Sequence, residues 1–182
     1  MRKFIAALAA VPLWACQTGV GVPCFTLTYQ HSVWALVKWP VKDLVTAEVT
    51  GTMAVHQNGS VEHRIKPVSR FAVRDRQESS PSDFRHPALF YPENAYRRSK
   101  GGDDGCRGVV AAFGNSLERA GASSMLGEPV VNWKFKTTYG DATALLAPGL
   151  DCQVLRMESI EYRYRYLPVR KELFEAKTLR RE

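Results

Sequence analysis

The chain has 182 residues, of which 45% are hydrophobic and 24% are charged, and its formal net charge is +7 at pH 7. This composition is that of an ordinary globular domain, and it excludes a disordered, a collagen-like or a polytopic membrane protein. The length predicts a single domain with a core of its own, since most domains have ~100–200 residues.

The N-terminus predicts export. Met1, Arg2 and Lys3 form a short basic start, and the apolar run Phe4 to Ala15 follows. This run is too short for a transmembrane helix of ~20 residues, whereas a basic start before a short apolar segment is typical of a signal peptide. We therefore expect residues 1–15 to be a signal peptide and residues 22–182 to form one domain. The alternative is an N-terminal core helix of a cytosolic protein.

Three processing outcomes stay open, at two cleavage positions. Leu13-Trp14-Ala15-Cys16 resembles a bacterial lipobox, although Trp14 stands where a small residue is usual. Lipidation of Cys16 would attach the protein peripherally to a membrane. Ordinary cleavage after Ala15, or after Gly21, would instead release a periplasmic or secreted protein.

The four cysteines are consistent with an oxidising compartment. They form no Cys-x-x-Cys motif and have no histidine at zinc-ligand spacing. Cys106 and Cys152 each follow a turn segment rich in Gly and Asp, so we expect them to form a disulfide, as close cysteine pairs do after export. The alternative is a pair of buried thiols. Cys24 can pair with Cys16 only if Cys16 survives unmodified.

The first half of the domain predicts β-strands. Apolar residues alternate over Phe25 to Tyr29, and the run Val33 to Trp39 fits either a strand or a short helix. Val45 to His56 alternates with period two, and Asn58-Gly59 is the preferred sequence of a type I′ turn. We therefore expect a hairpin whose return strand covers Ser60 to Asp75.

The middle of the chain predicts a loop-rich insertion and then the main helix. Residues 76–108 are polar and rich in turn formers. The segment from Val109 to Ala122 has helical spacing of its apolar residues, and Gly121 can end the helix. The predicted apolar stripe of this helix is Val109, Phe113, Leu117 and Ala120.

The last third returns to strands. We expect strands at Glu128 to Tyr139, Ala142 to Leu146, Asp151 to Met157 and Glu161 to Tyr166, and either a short helix or a frayed tail at Arg170 to Glu182. The predicted fold class is therefore α+β and mainly β. Its architecture is a twisted antiparallel sheet, which could form a half-barrel, with one main helix.

Two alternating strands supply the candidate binding residues. Alternation separates the tyrosines of Glu161 to Tyr166 from Arg163 and Arg165, whereas a nucleic-acid surface combines aromatic and basic side chains. We therefore expect no nucleic-acid partner and assign the tyrosines to an apolar face. The candidate apolar binding residues are Val131, Trp133, Phe135, Tyr162, Tyr164 and Tyr166.

No motif predicts catalysis, a metal or a cofactor. His56 and His63 flank the Asn-Gly turn, but two ligands make a poor metal site. The loop carboxylates Glu93, Asp103 and Asp104 have no spacing that fixes their separation in space. We therefore expect a protein that is not an enzyme and needs no cofactor. The alternative is a secreted hydrolase that uses carboxylate and histidine residues.

Several motifs carry a family resemblance. They are HQNGSVEHR in the hairpin, and later LGEPVVNWKF, ALLAPGLDCQVLR and YRYLPVRKELFE. This pattern resembles uncharacterised exported proteins of soil bacteria. The meander of strands also resembles the half-barrel of periplasmic lipoprotein-carrier proteins, whose concave face holds acyl chains. The resemblance implies no catalytic residue.

Together these observations predict an exported, non-catalytic envelope or secreted protein. Its expected partner is an apolar ligand, a lipid or an envelope protein. Besides the hydrolase, a structural protein-interaction module without a ligand stays open as an alternative.

Overall fold

The computed structural model describes residues 24–36, 44–56, 60–67, 70–71, 76–77, 106–111 and 114–182. The helical segments are α1 (Arg107–Ala111) and a 3₁₀ turn (Pro148–Leu150). The strands are β1 (Phe25–Ala35), β2 (Leu44–Val55), β3 (Val61–Pro67), β4 (Arg70–Phe71), β5 (Arg76–Gln77), β6 (Asn115–Met125), β7 (Glu128–Lys136), β8 (Gly140–Ala147), β9 (Gln153–Arg163) and β10 (Leu167–Arg181).

Eight of these strands form one open antiparallel sheet in the order β3-β2-β1-β10-β9-β8-β7-β6, and β4 pairs with β5. The predicted class, α+β and mainly β, is confirmed. The helix of the described part is much shorter than expected. The predicted signal peptide, Cys16 and most of the 76–108 insertion lie outside the described residues.

The predicted hairpin is present as β2 and β3. Val55 pairs with Val61 and Met53 pairs with His63, although the Asn58-Gly59 turn itself lies outside the described residues. Of the expected return strand from Ser60 to Asp75, β3 covers Val61–Pro67, and Arg70–Phe71 pairs with β5 instead of β2; residues 68–69 and 72–75 lie outside the described residues. Proline has no N–H to donate, so it ends the ladder of this edge strand.

The helix predicted from Val109 to Ala122 is wrong beyond Ala111. The chain forms β6 there, which pairs with β7 from Asn115 to Met125. Glycine and serine are weak helix formers, and Gly121 adopts a φ of 131° at a shift in the β6 register. The hydrogen bonds to β7 therefore prevail over the helical spacing of a few apolar residues.

The end of the chain also differs from the prediction. The strand expected at Glu161 to Tyr166 is interrupted, because β9 ends at Arg163 and residues 164–166 turn the chain into β10. The expected helix or frayed tail at Arg170 to Glu182 is instead most of the 15-residue strand β10. This strand lies inside the sheet, between β1 and β9.

One face of the sheet, which we call the inner face, carries the apolar core. Residues paired directly across antiparallel strands lie on the same face, so the register assigns each side chain to its face. Buried inner-face side chains are Phe25, Leu27, Tyr29 and Val33 of β1, Val49, Met53 and Val55 of β2, Phe174 and Ala176 of β10, Met157 of β9, Ala142, Ala144 and Leu146 of β8, and Val131, Trp133 and Phe135 of β7.

Short elements and a disulfide complete this core. Val109 and Val110 of α1 and Leu150 of the 3₁₀ turn belong to the same apolar cluster. The sulfur atoms of Cys106 and Cys152 are bonded at 2.03 Å, which is the pairing predicted from the sequence. The bridge ties the start of α1 to the start of β9. Cys24 is disulfide-bonded as well.

Candidate functional site

The inner face holds three of the six predicted binding residues. Val131, Trp133 and Phe135 project from alternate positions of β7 and are at most 6% exposed. On β8, Leu146 pairs with Val131, Ala144 pairs with Trp133, and Ala142 pairs with Phe135. Two alanines opposite two aromatic rings keep this part of the face closely packed, since large and small side chains interdigitate.

The predicted tyrosines are not part of this surface. Tyr164 and Tyr166 are 68% and 77% exposed, and Tyr162 is half-buried. Tyr164 and Arg165 adopt φ angles of 57° and 65°, so the alternation that places side chains on opposite faces ends at Arg163. The assignment of Tyr164 and Tyr166 to the apolar face is therefore wrong.

A buried polar group lies within the inner face, and the sequence analysis did not find it. His31 of β1 is fully buried, and its Nε2 lies 2.9 Å from Oε1 of Glu172, which is 3% exposed. Arg170 donates from Nη2 to the other carboxylate oxygen of Glu172 at 3.3 Å. The ring of Phe174 packs edge-on against His31, with 5.9 Å between centroids.

This polar group has a local sequence signal. His31 continues the alternate series Phe25, Leu27 and Tyr29, and the same parity on β10 joins Glu172 to Phe174. A buried carboxylate needs partners, and here a histidine and an arginine supply them. The parity of His31 could have been read from the sequence. Its partner could not, because β10 was not predicted to be a strand.

A second polar contact crosses β2. The hydroxyl of Tyr29 forms a 2.6 Å hydrogen bond with Nε2 of His63 on β3. The tyrosine ring lies over Gly51, where a Cβ atom would overlap it. Gly51 is therefore required by the close approach of an aromatic ring. The two histidines flanking the predicted turn do not meet, since His56 lies beside Glu62, with 3.7 Å between Nε2 and Oε1.

The inner-face polar group offers no room for a substrate. A cavity of about 10 Å³ borders Arg170, Glu172 and Glu161, with space for roughly one water molecule. Within the described ranges, no three side chains of the His, Cys, Asp and Glu types are grouped as a metal site would require. The buried histidine and carboxylate therefore satisfy each other in the core.

The opposite, outer face of the sheet carries an open polar groove of about 400 Å³. It runs over β10, β1, β2 and β3. Its polar lining side chains include Thr28, Gln30, Thr50, Thr52, Arg64, Lys66 and Lys177. Two of its cations lie beside carboxylates, Arg64 at 3.8 Å from Glu62 and Lys177 in contact with Glu175. These carboxylates balance much of the positive charge, so the groove is polar but not strongly anion-attracting.

The end of β10 is attached to the start of β7. Arg181 donates from Nε to Oε1 of Glu128 at 2.6 Å, and its Nη2 contacts the second carboxylate oxygen. The hydrogen bond to Glu128 raises the pKa of the Arg181 guanidinium above its ordinary value. No helix of the described residues is both long and apolar enough to cross a bilayer.

No protein-family model and no curated protein matches the sequence. Among solved structures, the Pseudomonas aeruginosa MucA/MucB complex matches with 12% identity and a TM-score of 0.40, covering 86% of this chain and 51% of that chain. The lipoprotein LppX of Mycobacterium tuberculosis matches with 8% identity and a TM-score of 0.39, covering 84% of each chain. LprF from Mycobacterium bovis matches with 10% identity and a TM-score of 0.39, covering 86% of this chain and 85% of that chain.

This chain therefore spans about half the length of the MucA/MucB chain that it matches. The matches also include a LolA-superfamily protein of Nitrosomonas europaea and a lipoprotein-sorting protein domain of Vibrio parahaemolyticus.

Proposed function

We propose that this protein is an exported, non-catalytic binding protein that holds an apolar ligand, such as an acyl chain, against its inner face. One observation carries the proposal: the apolar side chains of the inner face are continuous from β2 to β7, across six neighbouring strands of an open sheet. Ligand sites for apolar molecules are lined by such side chains, with a few polar groups that fix orientation.

The composition of the inner face supports this proposal. Met53 and Met157 lie on it, and methionine side chains adapt their shape to irregular apolar partners. Trp133 and Phe135 add large aromatic surfaces on β7.

The more general part of the proposal is that the protein is exported, and the cysteines support it. The Cys106–Cys152 disulfide is typical of a protein that folds in an oxidising compartment. Cleavage after residue 15 or 21, and lipidation of Cys16, stay predictions from the sequence. Intact mass spectrometry of the mature protein from membrane and soluble fractions distinguishes the three N-termini.

The hydrolase hypothesis receives no support from the described residues. His63 forms a hydrogen bond with Tyr29, and His31 forms one with Glu172, so both histidines are engaged in contacts within the fold. The loop carboxylates Glu93, Asp103 and Asp104 lie outside the described residues. An interaction module without a ligand would have the same fold, and the ligand test below separates it from the proposal.

The test compares two bulky substitutions on neighbouring residues of β8. Ala144→Leu adds a side chain to the inner face, whereas Thr143→Leu adds the same side chain to the outer face, where Thr143 is exposed. We expect the Ala144 variant to bind a fluorescent fatty acid at least about fivefold more weakly, a loss of about 1 kcal/mol, because the added side chain projects from the face against which the ligand would lie. The Thr143 variant should bind as the unaltered protein does.

Thermal unfolding monitored by circular dichroism confirms that both variants are folded. Native mass spectrometry of the unaltered protein then looks for a co-purified lipid. Equal affinity of both variants for the probe, or no binding of the probe by the unaltered protein, would contradict the proposal and leave the interaction module as the better account.

A further inference from the structure

The turn between β9 and β10 is an exposed aromatic and basic tip. Its four residues are Arg163, Tyr164, Arg165 and Tyr166, and every one of them is exposed. Tyrosines are large side chains with an apolar body and a polar end, and exposed aromatic surface of this kind is common at sites that bind a partner or a membrane. We call these four residues the hairpin tip.

The hairpin tip lies beyond the pairing of the described neighbouring strands. On the β8 side, the last contact is the hydrogen bond from the N–H of Tyr162 to the carbonyl of Tyr139. On the β1 side, the last contact is the hydrogen bond from the N–H of Leu36 to the carbonyl of Val169. The tip therefore reaches past both of these contacts at one end of the sheet.

The backbone of the hairpin tip is strained, because two of its residues are of types that rarely adopt the conformation they have here. Tyr164 and Arg165 have φ angles of 57° and 65°, a region in which Asn and Gly are far more common. A tyrosine and an arginine at these positions cost folding free energy relative to Asn-Gly. Strain of this kind clusters at functional positions, so it points to a use for these side chains.

The positive charges of the hairpin tip are not neutralised by carboxylates within the described part of the chain. Neither Arg163 nor Arg165 forms an ion pair there. The guanidinium of Arg163 lies 5.3 Å from the centre of the Tyr164 ring, which keeps charge and aromatic surface together. No acidic residue occurs within the tip.

We propose that the hairpin tip is a docking point for an anionic phospholipid surface. The tyrosines would lie at the level of the headgroups, where amphipathic aromatic rings are enriched, and the two arginines would contact lipid phosphates. Charge complementarity selects an anionic membrane over a neutral one. This inference does not depend on the proposed apolar ligand, because the tip and the inner face share no residue.

The test uses the purified soluble chain and co-sedimentation with two kinds of vesicles. One kind contains phosphatidylcholine alone, and the other contains phosphatidylcholine mixed with phosphatidylglycerol. We expect binding to the mixed vesicles only, and weaker binding as the salt concentration rises. Replacing both arginines by glutamine (R163Q with R165Q) should weaken this binding roughly 30-fold. A matched control removes two exposed charges from β7, K134Q with K136Q, and should have a much smaller effect.

A second variant separates membrane contact from folding. Y164N with R165G installs the residue types that favour this backbone, so it should unfold at the same or a higher temperature than the unaltered protein. The same variant removes one aromatic ring and one charge, so we expect weaker sedimentation with the mixed vesicles. Binding of the fluorescent fatty acid should not change in any tip variant.

Two results would overturn the proposal. One is sedimentation of the tip variants with mixed vesicles to the same extent as the unaltered protein. The other is the absence of any preference of the unaltered protein for mixed over phosphatidylcholine vesicles. Either result would indicate that the exposed tyrosines serve a protein partner instead.

Discussion

The central strands β1 and β10 differ sharply from the edge strand β6, although β1 and β6 are equally long. β1 and β10 pair over most of their length, and each has a second neighbour. Their central inner-face side chains are at most 2% exposed, namely Phe25, Leu27, Tyr29, His31 and Phe174. β6 pairs only with β7, shifts register twice, and is exposed along almost its whole length. The central strands therefore bury far more apolar side chain than the edge strand does.

The edge strand also shows how an exposed edge can be protected. β6 carries Glu118 and Arg119 and contains two register irregularities, one of them at Gly121. Charged side chains and bulges make an edge a poor template for pairing with another chain. We therefore expect substitutions at the centre to change stability and those along the edge to have small effects.

The largest expected effect comes from Phe174 on β10. Its ring contacts Tyr29 at 5.0 Å and His31 at 5.9 Å between centroids, and it is fully buried. Phe174→Ala should reduce the free energy of unfolding by about 3–5 kcal/mol, because it leaves a cavity at the centre of the sheet. Urea denaturation monitored by tryptophan fluorescence measures this loss.

The matched control is Arg180→Ala, which truncates an exposed side chain of the same strand. It should change the free energy of unfolding by less than about 0.5 kcal/mol. A loss at Phe174 no larger than the loss at Arg180 would show that β10 is not a central strand and would remove the basis of the comparison.

The two misread segments show which information the sequence carries. The alternation of Val45 to His56 and of Glu128 to Lys136 predicts β2 and β7 well, because one face of each strand is apolar and the other is polar. In β10 the inner-face series Arg170, Glu172, Phe174 includes two charged residues, and Glu172 is paired with His31 on β1, a strand that is adjacent in the sheet but distant in sequence. Local alternation cannot reveal a polar pair formed across the sheet.

The candidate site, too, was predictable only where the local sequence pattern is clear. Val131, Trp133 and Phe135 were found because their strand alternates cleanly, and the disulfide because both cysteines follow turn sequences. Tyr164 and Tyr166 were misplaced because the turn that exposes them has positive φ angles at Tyr164 and Arg165, where Asn or Gly is usual. A turn built from other residues has no sequence signal.

Gly51 gives the next largest effect and tests the central half of the sheet from a different strand. Gly51→Ala should destabilise the protein by about 1–3 kcal/mol, because the new methyl group overlaps the ring of Tyr29. The ring must then move, which breaks its hydrogen bond to His63. Thermal and urea unfolding measure the loss.

A double variant identifies the cause of this loss. In a background that carries Tyr29→Leu, the ring is absent, so Gly51→Ala should cost much less than it does in the unaltered protein. Thr50→Ala, on the opposite face of β2, serves as the control. Equal costs of Gly51→Ala in both backgrounds would mean that the glycine is needed for its backbone and not for Tyr29.

The smallest expected effect lies at the edge, in the turn between β6 and β7. Leu126 and Gly127 have φ angles of 54° and 82°, so both residues of this two-residue turn are left-handed, as in type I′. Leucine is unfavourable there, whereas asparagine is common, and Leu126 is 39% exposed, so little packing would be lost. Leu126→Asn should therefore raise the free energy of unfolding by about 0.5–1 kcal/mol.

Leu126→Ala removes the same contacts without favouring the left-handed region. If both variants give the same stability in urea denaturation, backbone conformation does not limit the edge, and its small influence on stability comes from exposure alone.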